Sequence, residues 1–96
     1  MYELRYRPPA EKYLKKLKEK GLMAAYRDAL TRISEDPHRA GEEKTGDLAG
    51  IYSRDVYYSK TNYEIAYQII EEDGQFVVVI LAGTRENFYQ ELKRYI

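Results

Sequence analysis

The chain contains no cysteine and no tryptophan, and only two phenylalanines, three prolines and one histidine among its 96 residues. Without cysteine there is no disulfide, no thiolate nucleophile and no zinc site built on sulfur, and a reducing, cytoplasmic setting is expected. The lone imidazole, His38, lies in a polar stretch with no second soft ligand nearby. Neither a histidine-based metal centre nor a Ser–His or Cys–His catalytic arrangement therefore has its parts. An oxygen-ligand site from Glu42, Glu43 and Asp47 matches no known loop spacing. Gly41, Gly46 and Gly50 form no phosphate-binding fingerprint between a strand and a helix. No metal and no cofactor is expected. No segment approaches the ~20 apolar residues of a membrane span, and the N-terminus lacks the apolar core of a signal peptide, so no membrane association is expected.

Tyrosine and charge are what the chain has in quantity. There are 11 tyrosines, so nearly all aromatic mass carries a hydroxyl, and 16 Lys and Arg balance 16 Asp and Glu. The zero sum conceals a split: residues 1–40 hold ten basic and six acidic side chains, residues 41–96 six and ten. The basic half is concentrated in Lys12, Lys15, Lys16, Lys18 and Lys20. That face suits phosphate or an acidic partner, or is plain solvated helix surface. A length near 100 residues points to one domain spanning 1–96.

Hydrophobic spacing predicts the elements. Tyr2, Leu4 and Tyr6 alternate with charges, as in a half-buried strand. Pro8-Pro9 suits the first turn of a helix, whose apolar face is Ala10, Tyr13, Leu14 and Leu17. Gly21 is expected to interrupt it. Leu22, Tyr26, Ala29, Leu30 and Ile33 continue a second helix that Asp36-Pro37 ends. Residues 37–50 read as loop. Three strands follow: Ile51–Tyr58, the alternating Tyr63–Ile70, and the apolar run Phe76–Ala82 after a hairpin turn at Asp73-Gly74. Thr84 is expected to cap a last helix striped by Phe88, Leu92 and Tyr95. The order β-α-α-β-β-β-α implies an α+β fold with its sheet packed against the helix pair.

The residues best placed for chemistry close the chain. At a spacing of four, Arg85, Tyr89 and Lys93 are expected to share one helix face. Arginine offers a fork for phosphate, and tyrosine stacks on a base or hands over a proton. Metal-free RNA cleavage needs a group to take the 2′-hydroxyl proton, a cation for the phosphorane charge and an acid for the leaving oxygen. Arg85, Tyr89 and a lysine or carboxylate supply these. The same residues also read as surface charges and a helix-edge ring. Arg54, between Ser53 and Asp55, reads as a surface ion-pair partner, and Lys44 as a loop cation.

Order and spacing resemble the RelE/ParE superfamily of type II toxin–antitoxin toxins. The resemblance runs through Tyr2–Arg7, the Lys-rich helix pair, the loop Lys44–Tyr52, the strand Asn62–Ile69, Val77–Ile80 and the ending Ala82–Tyr89. It implies a curved antiparallel sheet flanked by helices, and a cognate antitoxin as partner. In the ribonuclease branch it implies metal-independent cleavage of mRNA on the ribosome, with growth arrest. In the gyrase-poisoning branch it implies inhibition of DNA gyrase. A third reading is a degenerate member, of phage descent, that only binds a partner protein. The family's catalytic arginine before the last helix matches Arg85 and its catalytic tyrosine matches Tyr89. Its middle-strand arginine falls on Glu64, which becomes the candidate general base, and its basic strand residues fall on Ser53 and Asp55. Arg54 is expected on the opposite strand face. Lys12, Lys15, Lys16, Lys44, Arg54 and Lys93 are the candidate RNA contacts.

Overall fold

The alternation of Tyr63, Ile65 and Tyr67 and the apolar run from Phe76 form the two central strands of a five-stranded sheet. The computed structural model describes residues 1–96. In chain order the elements are β1 (Glu3–Tyr6), α1 (Pro8–Lys15), α2 (Lys20–Glu35), α3 (Pro37–Ala40), β2 (Glu42–Glu43), β3 (Tyr52–Tyr58), β4 (Thr61–Ile70), β5 (Phe76–Thr84) and α4 (Phe88–Leu92). Single 3₁₀ turns occupy Gly46–Leu48 and Lys93–Tyr95. The expected α+β order is present, with α3 and β2 added inside the stretch read as loop. Asp36 leaves helical geometry at φ −151°, and Pro37 then starts a fresh turn, where its missing N–H is no loss.

The strands lie in the order β1-β5-β4-β3-β2. Every pair is antiparallel except the edge strand β1, which runs parallel to β5 with Leu4 opposite Val77. The β3–β4 hairpin turns on Ser59 and Lys60, both at positive φ, the backbone of a two-residue primed turn.

Each face of the sheet has its own core. On one face α1 and α2 bring Ala10, Leu22, Tyr26, Ala29 and Ile33 against Val56, Ile65, Tyr67, Val77, Val79 and Ala82. On the other, Phe88 and Leu92 of α4 cover Ile51, Ala66, Ile80 and Leu81. A bulge connects the two: Ala66 pairs with Leu81 but Tyr67 with Val79, leaving Ile80 as the extra residue. The extra residue breaks the two-residue alternation, so Ile80 and Leu81 both serve the second core and Ala82 returns to the first.

Gly21 does not interrupt a helix; it lies in the first turn of α2, and the break falls at residues 16–19. A Cβ at Gly21 would strike the Tyr58 ring, so glycine there lets β3 approach α2. The last helix is shorter than its apolar spacing suggests. Thr84 is the final residue of β5 rather than a cap, and the residue before α4, Asn87, is left-handed at φ 59°. Tyr95 falls outside the stripe, 37% exposed, and Tyr6 on the edge strand is 39% exposed. No helix is long and apolar enough to cross a membrane.

Candidate functional site

Register across two strands builds the site. Ser53 lies opposite Ala66 and Asp55 opposite Glu64, so these residues share the face covered by α4. Glu64 is 1% exposed although it carries a carboxylate. Such burial requires partners, and both come from the chain's C-terminal segment. The Tyr89 hydroxyl donates to Glu64 Oε2 at 2.5 Å, and Arg85 Nε lies 3.4 Å from Glu64 Oε1. The Arg85 backbone N–H donates to the carbonyl of Asn62 at 3.0 Å, which ties the segment after β5 to the start of β4. Arg85 is therefore not on the helix with Tyr89, as its spacing suggested. It sits three residues before α4, and Glu64 is what draws the two together.

Tyr89 is half-buried, with Ser53 Oγ 3.3 Å from its hydroxyl and Lys44 Nζ 5.3 Å from its ring centroid. Burial raises the Tyr89 pKa first, and the hydrogen bond to Glu64 raises it further. The phenol thus keeps its proton through neutral pH unless it passes it directly to the carboxylate. Around these groups opens a groove of about 620 Å³ lined by Arg39, Ala40, Gly41, Glu42, Lys44, Ser53, Arg54, Asp55, Glu64, Arg85 and Tyr89. Four cations face three carboxylates in it, so it carries little net charge. Gly41 is required at its rim, because a Cβ there would meet the Tyr67 hydroxyl and the Ser53 carbonyl.

The groove thus unites Glu64, Arg85, Tyr89, Lys44 and Arg54 among the residues singled out in the sequence. Arg54 alternates to the face covered by α1 and α2, as expected, but it is no surface ion-pair partner: its Nη1 donates to the Ala40 carbonyl at 2.7 Å. Its Nε is buried without a partner. The other candidates lie elsewhere. Lys93 pairs with Asp47 at 3.3 Å, and Lys15 is 3.8 Å from Glu11. Lys12 and Lys16 flank a separate cleft of about 390 Å³ with Glu86 and Glu91. Ser53 and Asp55 entered the sequence reading only as the positions that the family's basic strand residues occupy, and Arg39 not at all; the pairing of β3 with β4 and the position of α3 bring all three to the groove. No three His, Cys, Asp or Glu side chains converge as a metal ion would need. His38 instead contacts Glu71 at 3.3 Å and Tyr52 at 3.4 Å.

A helix pair on one face of a five-stranded sheet, with a short last helix closing a polar groove on the other, defines a RelE-like α+β protein. The sequence model of the ParE-like toxins of type II bacterial toxin–antitoxin systems matches residues 4–93, and the chain belongs to this family. Similar solved structures include the toxin–antitoxin complex RelBE2 from Mycobacterium tuberculosis, 28% identical over 88% of this chain and 98% of that one, with a TM-score of 0.68. A mutant of the E. coli toxin RelE in the free state is 24% identical over 98% of this chain and 92% of that one, with a TM-score of 0.73. The intact E. coli RelBE toxin–antitoxin complex gives 24% identity, coverages of 88% and 96%, and a TM-score of 0.69. At these identities the two E. coli likenesses speak for the fold alone. Among curated proteins, none matches in sequence.

Proposed function

We propose that this toxin is a single catalytic domain, residues 1–96, that cleaves mRNA without a metal ion and is neutralised in the cytoplasm by a cognate antitoxin. The observation that carries the reading is the convergence of Arg85 and Tyr89 on the buried carboxylate of Glu64 at the base of an open polar groove. The attacking 2′-hydroxyl gives its proton to the Tyr89 oxygen as Tyr89 gives its own to Glu64. The new 2′-oxygen–phosphorus bond forms, and the Arg85 guanidinium takes up the phosphorane charge. As the bond from phosphorus to the 5′-oxygen breaks, that oxygen takes a proton from Lys44. The products are a 2′,3′-cyclic phosphate and a 5′-hydroxyl.

The near-neutral groove and the zero net charge of the chain supply little general attraction for a polyanion. This favours RNA presented by the ribosome over free RNA. An antitoxin partner is supported by family membership and by the RelBE complexes of the similar toxins. Arg85→Ala is expected to abolish growth arrest while leaving the fold intact, since the Arg85 side chain is 61% exposed. Full toxicity of that variant would remove Arg85 from the mechanism.

One observation favours a second reading, non-enzymatic inhibition of DNA gyrase: Glu64 already engages the guanidinium that the nuclease needs for phosphate. Mapping of mRNA 5′ ends after induction separates the two. New internal 5′-hydroxyl ends support cleavage, whereas intact mRNA with accumulated gyrase–DNA cleavage complexes supports the inhibitor. No phenotype at all identifies a member that only binds its partner.

A further inference from the structure

Tyr57 is the most exposed of the 11 tyrosines, at 66%. Tyr2, Tyr26, Tyr52, Tyr58, Tyr67 and Tyr89 all donate to acceptors within the protein, and Tyr57 donates to none. It belongs to no aromatic pair. Its direction follows from its neighbours on β3. Val56 is buried in the core under the helices, and Tyr58 lies against Gly21 of α2. Tyr57 therefore stands on the opposite face, that of Ser53 and Asp55.

Directly across from it is Asn62, also exposed and on the same face. Asn62 is two positions from Glu64 along β4, a separation of about 7 Å, and its carbonyl holds the backbone of Arg85. Strand stability does not explain the pair. Asparagine is depleted in strands, and tyrosine, although it suits a strand, gains most from an aromatic or β-branched partner, which Asn62 is not. A flat π-face beside a free amide is instead what recognition of an unpaired base requires.

We propose that Tyr57 and Asn62 form a nucleobase station beside the cleavage centre. The base next to the phosphate held at Arg85 stacks on the Tyr57 ring, and the Asn62 amide, at once donor and acceptor, reads its edge. The ligand is single-stranded RNA, because a base inside a duplex offers no free face. This station rests on the RNA-cleaving reading and assigns its selectivity to two residues outside the reacting cluster.

The experiment compares the full-length wild type with Tyr57→Ala, Tyr57→Phe and Asn62→Ala in two assays. One is ribosome-programmed mRNA cleavage with mapped ends. The other is binding to ribosomes programmed with an mRNA that carries 2-aminopurine beside a non-cleavable 2′-deoxy position. Tyr57→Ala is expected to raise KM about tenfold for every base while kcat holds, and to lose the 2-aminopurine quenching that stacking produces. Tyr57→Phe restores both. Asn62→Ala keeps the quenching and flattens the base preference. If the wild type cuts and Tyr57→Ala cuts with unchanged KM and base preference, the station is refuted and the nuclease stands. Quenching that depends on Tyr57 without any cutting supports the station and refutes the nuclease. A wild type that neither cuts nor quenches refutes both.

Discussion

Replacing Tyr89 with phenylalanine deletes one oxygen atom and leaves the ring, which packs edge-on against Phe88, in place. The oxygen is the short donor to a carboxylate that is 1% exposed. A hydrogen bond to a charged, buried acceptor is worth roughly 1.5–3 kcal/mol, and water cannot readily replace this donor. Tyr89→Phe is therefore expected to destabilise the fold by about 2 kcal/mol, which for a chain of this length lowers Tm by roughly 10 °C. Arg85 is the control. Its guanidinium touches the same carboxylate but is 61% exposed, so Arg85→Ala removes at most about 1 kcal/mol. Order of effect thus runs opposite to nominal charge: the neutral partner matters more than the ionic one.

Glu64→Gln completes a double-mutant cycle. The amide still accepts from the Tyr89 hydroxyl, but as a neutral group, so Tyr89→Phe in that background is expected to lose about 1 kcal/mol less than in the wild type. Urea unfolding followed by far-ultraviolet circular dichroism suits a chain without tryptophan. The reasoning fails if Tyr89→Phe shifts the midpoint no more than Arg85→Ala does. It fails equally if the losses from Tyr89→Phe and Glu64→Gln are additive.

Three further outcomes rest on other contacts of the fold. Arg54→Met removes one hydrogen bond to the Ala40 carbonyl and also a buried Nε that has no partner; the two effects oppose, so stability is expected to change by less than about 1 kcal/mol while RNA affinity falls. Strong destabilisation in the same unfolding assay would show Arg54 to be structural. At high pH the fold is expected to weaken above about pH 10, where tyrosines ionise in the unfolded chain. Burial raises the folded-state pKa of Tyr26, Tyr67, Tyr13 and Tyr89, so their contribution is complete below the unfolded value and is lost as pH rises through the folded ones. At low pH Glu71 acts in the opposite sense. The hydrogen bond from Tyr2, and then His38, hold its pKa below the ordinary value, so its contribution is present above that value and fades as pH falls through the lowered one. A flat alkaline limb in a pH series of thermal melts would refute the first part, and an acid limb unaffected by Tyr2→Phe the second.

Local pattern made some features legible and hid others for a consistent reason. The spacing of Leu22, Tyr26, Ala29 and Ile33 announced a helix because burial on one face repeats within the chain itself. The run from Phe76 announced a central strand because both of its faces are covered. Arg85 and Tyr89 were legible as candidates, but the cause of their meeting was not. A spacing of four suggested a shared helix, whereas Asn87 in the left-handed region starts that helix later. The contact is made by Glu64, from a strand more than 20 residues earlier. Tyr57 could not be assigned to the groove face until β3 was registered against β4, and register is a property of two segments rather than one. Gly21 misled because an isolated glycine signals a break or a close approach with equal force, and only the Tyr58 ring decides which.

The position of Glu64 also decides what restoring the family's arginine would do. By resemblance alone, Glu64→Arg should improve a ribonuclease, since it returns a phosphate-binding cation to the middle strand. The structure argues the reverse. Glu64 is enclosed by Tyr89 and Arg85, and a guanidinium there would lie beside another guanidinium with no carboxylate to neutralise either. Tyr89 would lose the acceptor for its proton, and Asp55, directly opposite on β3, is exposed to solvent and offers weaker compensation. An uncompensated guanidinium at this position, which is 1% exposed in the wild type, costs about 3 kcal/mol even with some relaxation around it. Glu64→Arg is therefore expected to be less stable and less toxic than the wild type, whereas Glu64→Gln stays folded, loses toxicity and gives up only about 1 kcal/mol of stability. Growth arrest and urea midpoints measured on the two variants test this together. An arginine variant that is both stable and more toxic would mean that Glu64 is an acquired defect rather than the base of the reaction.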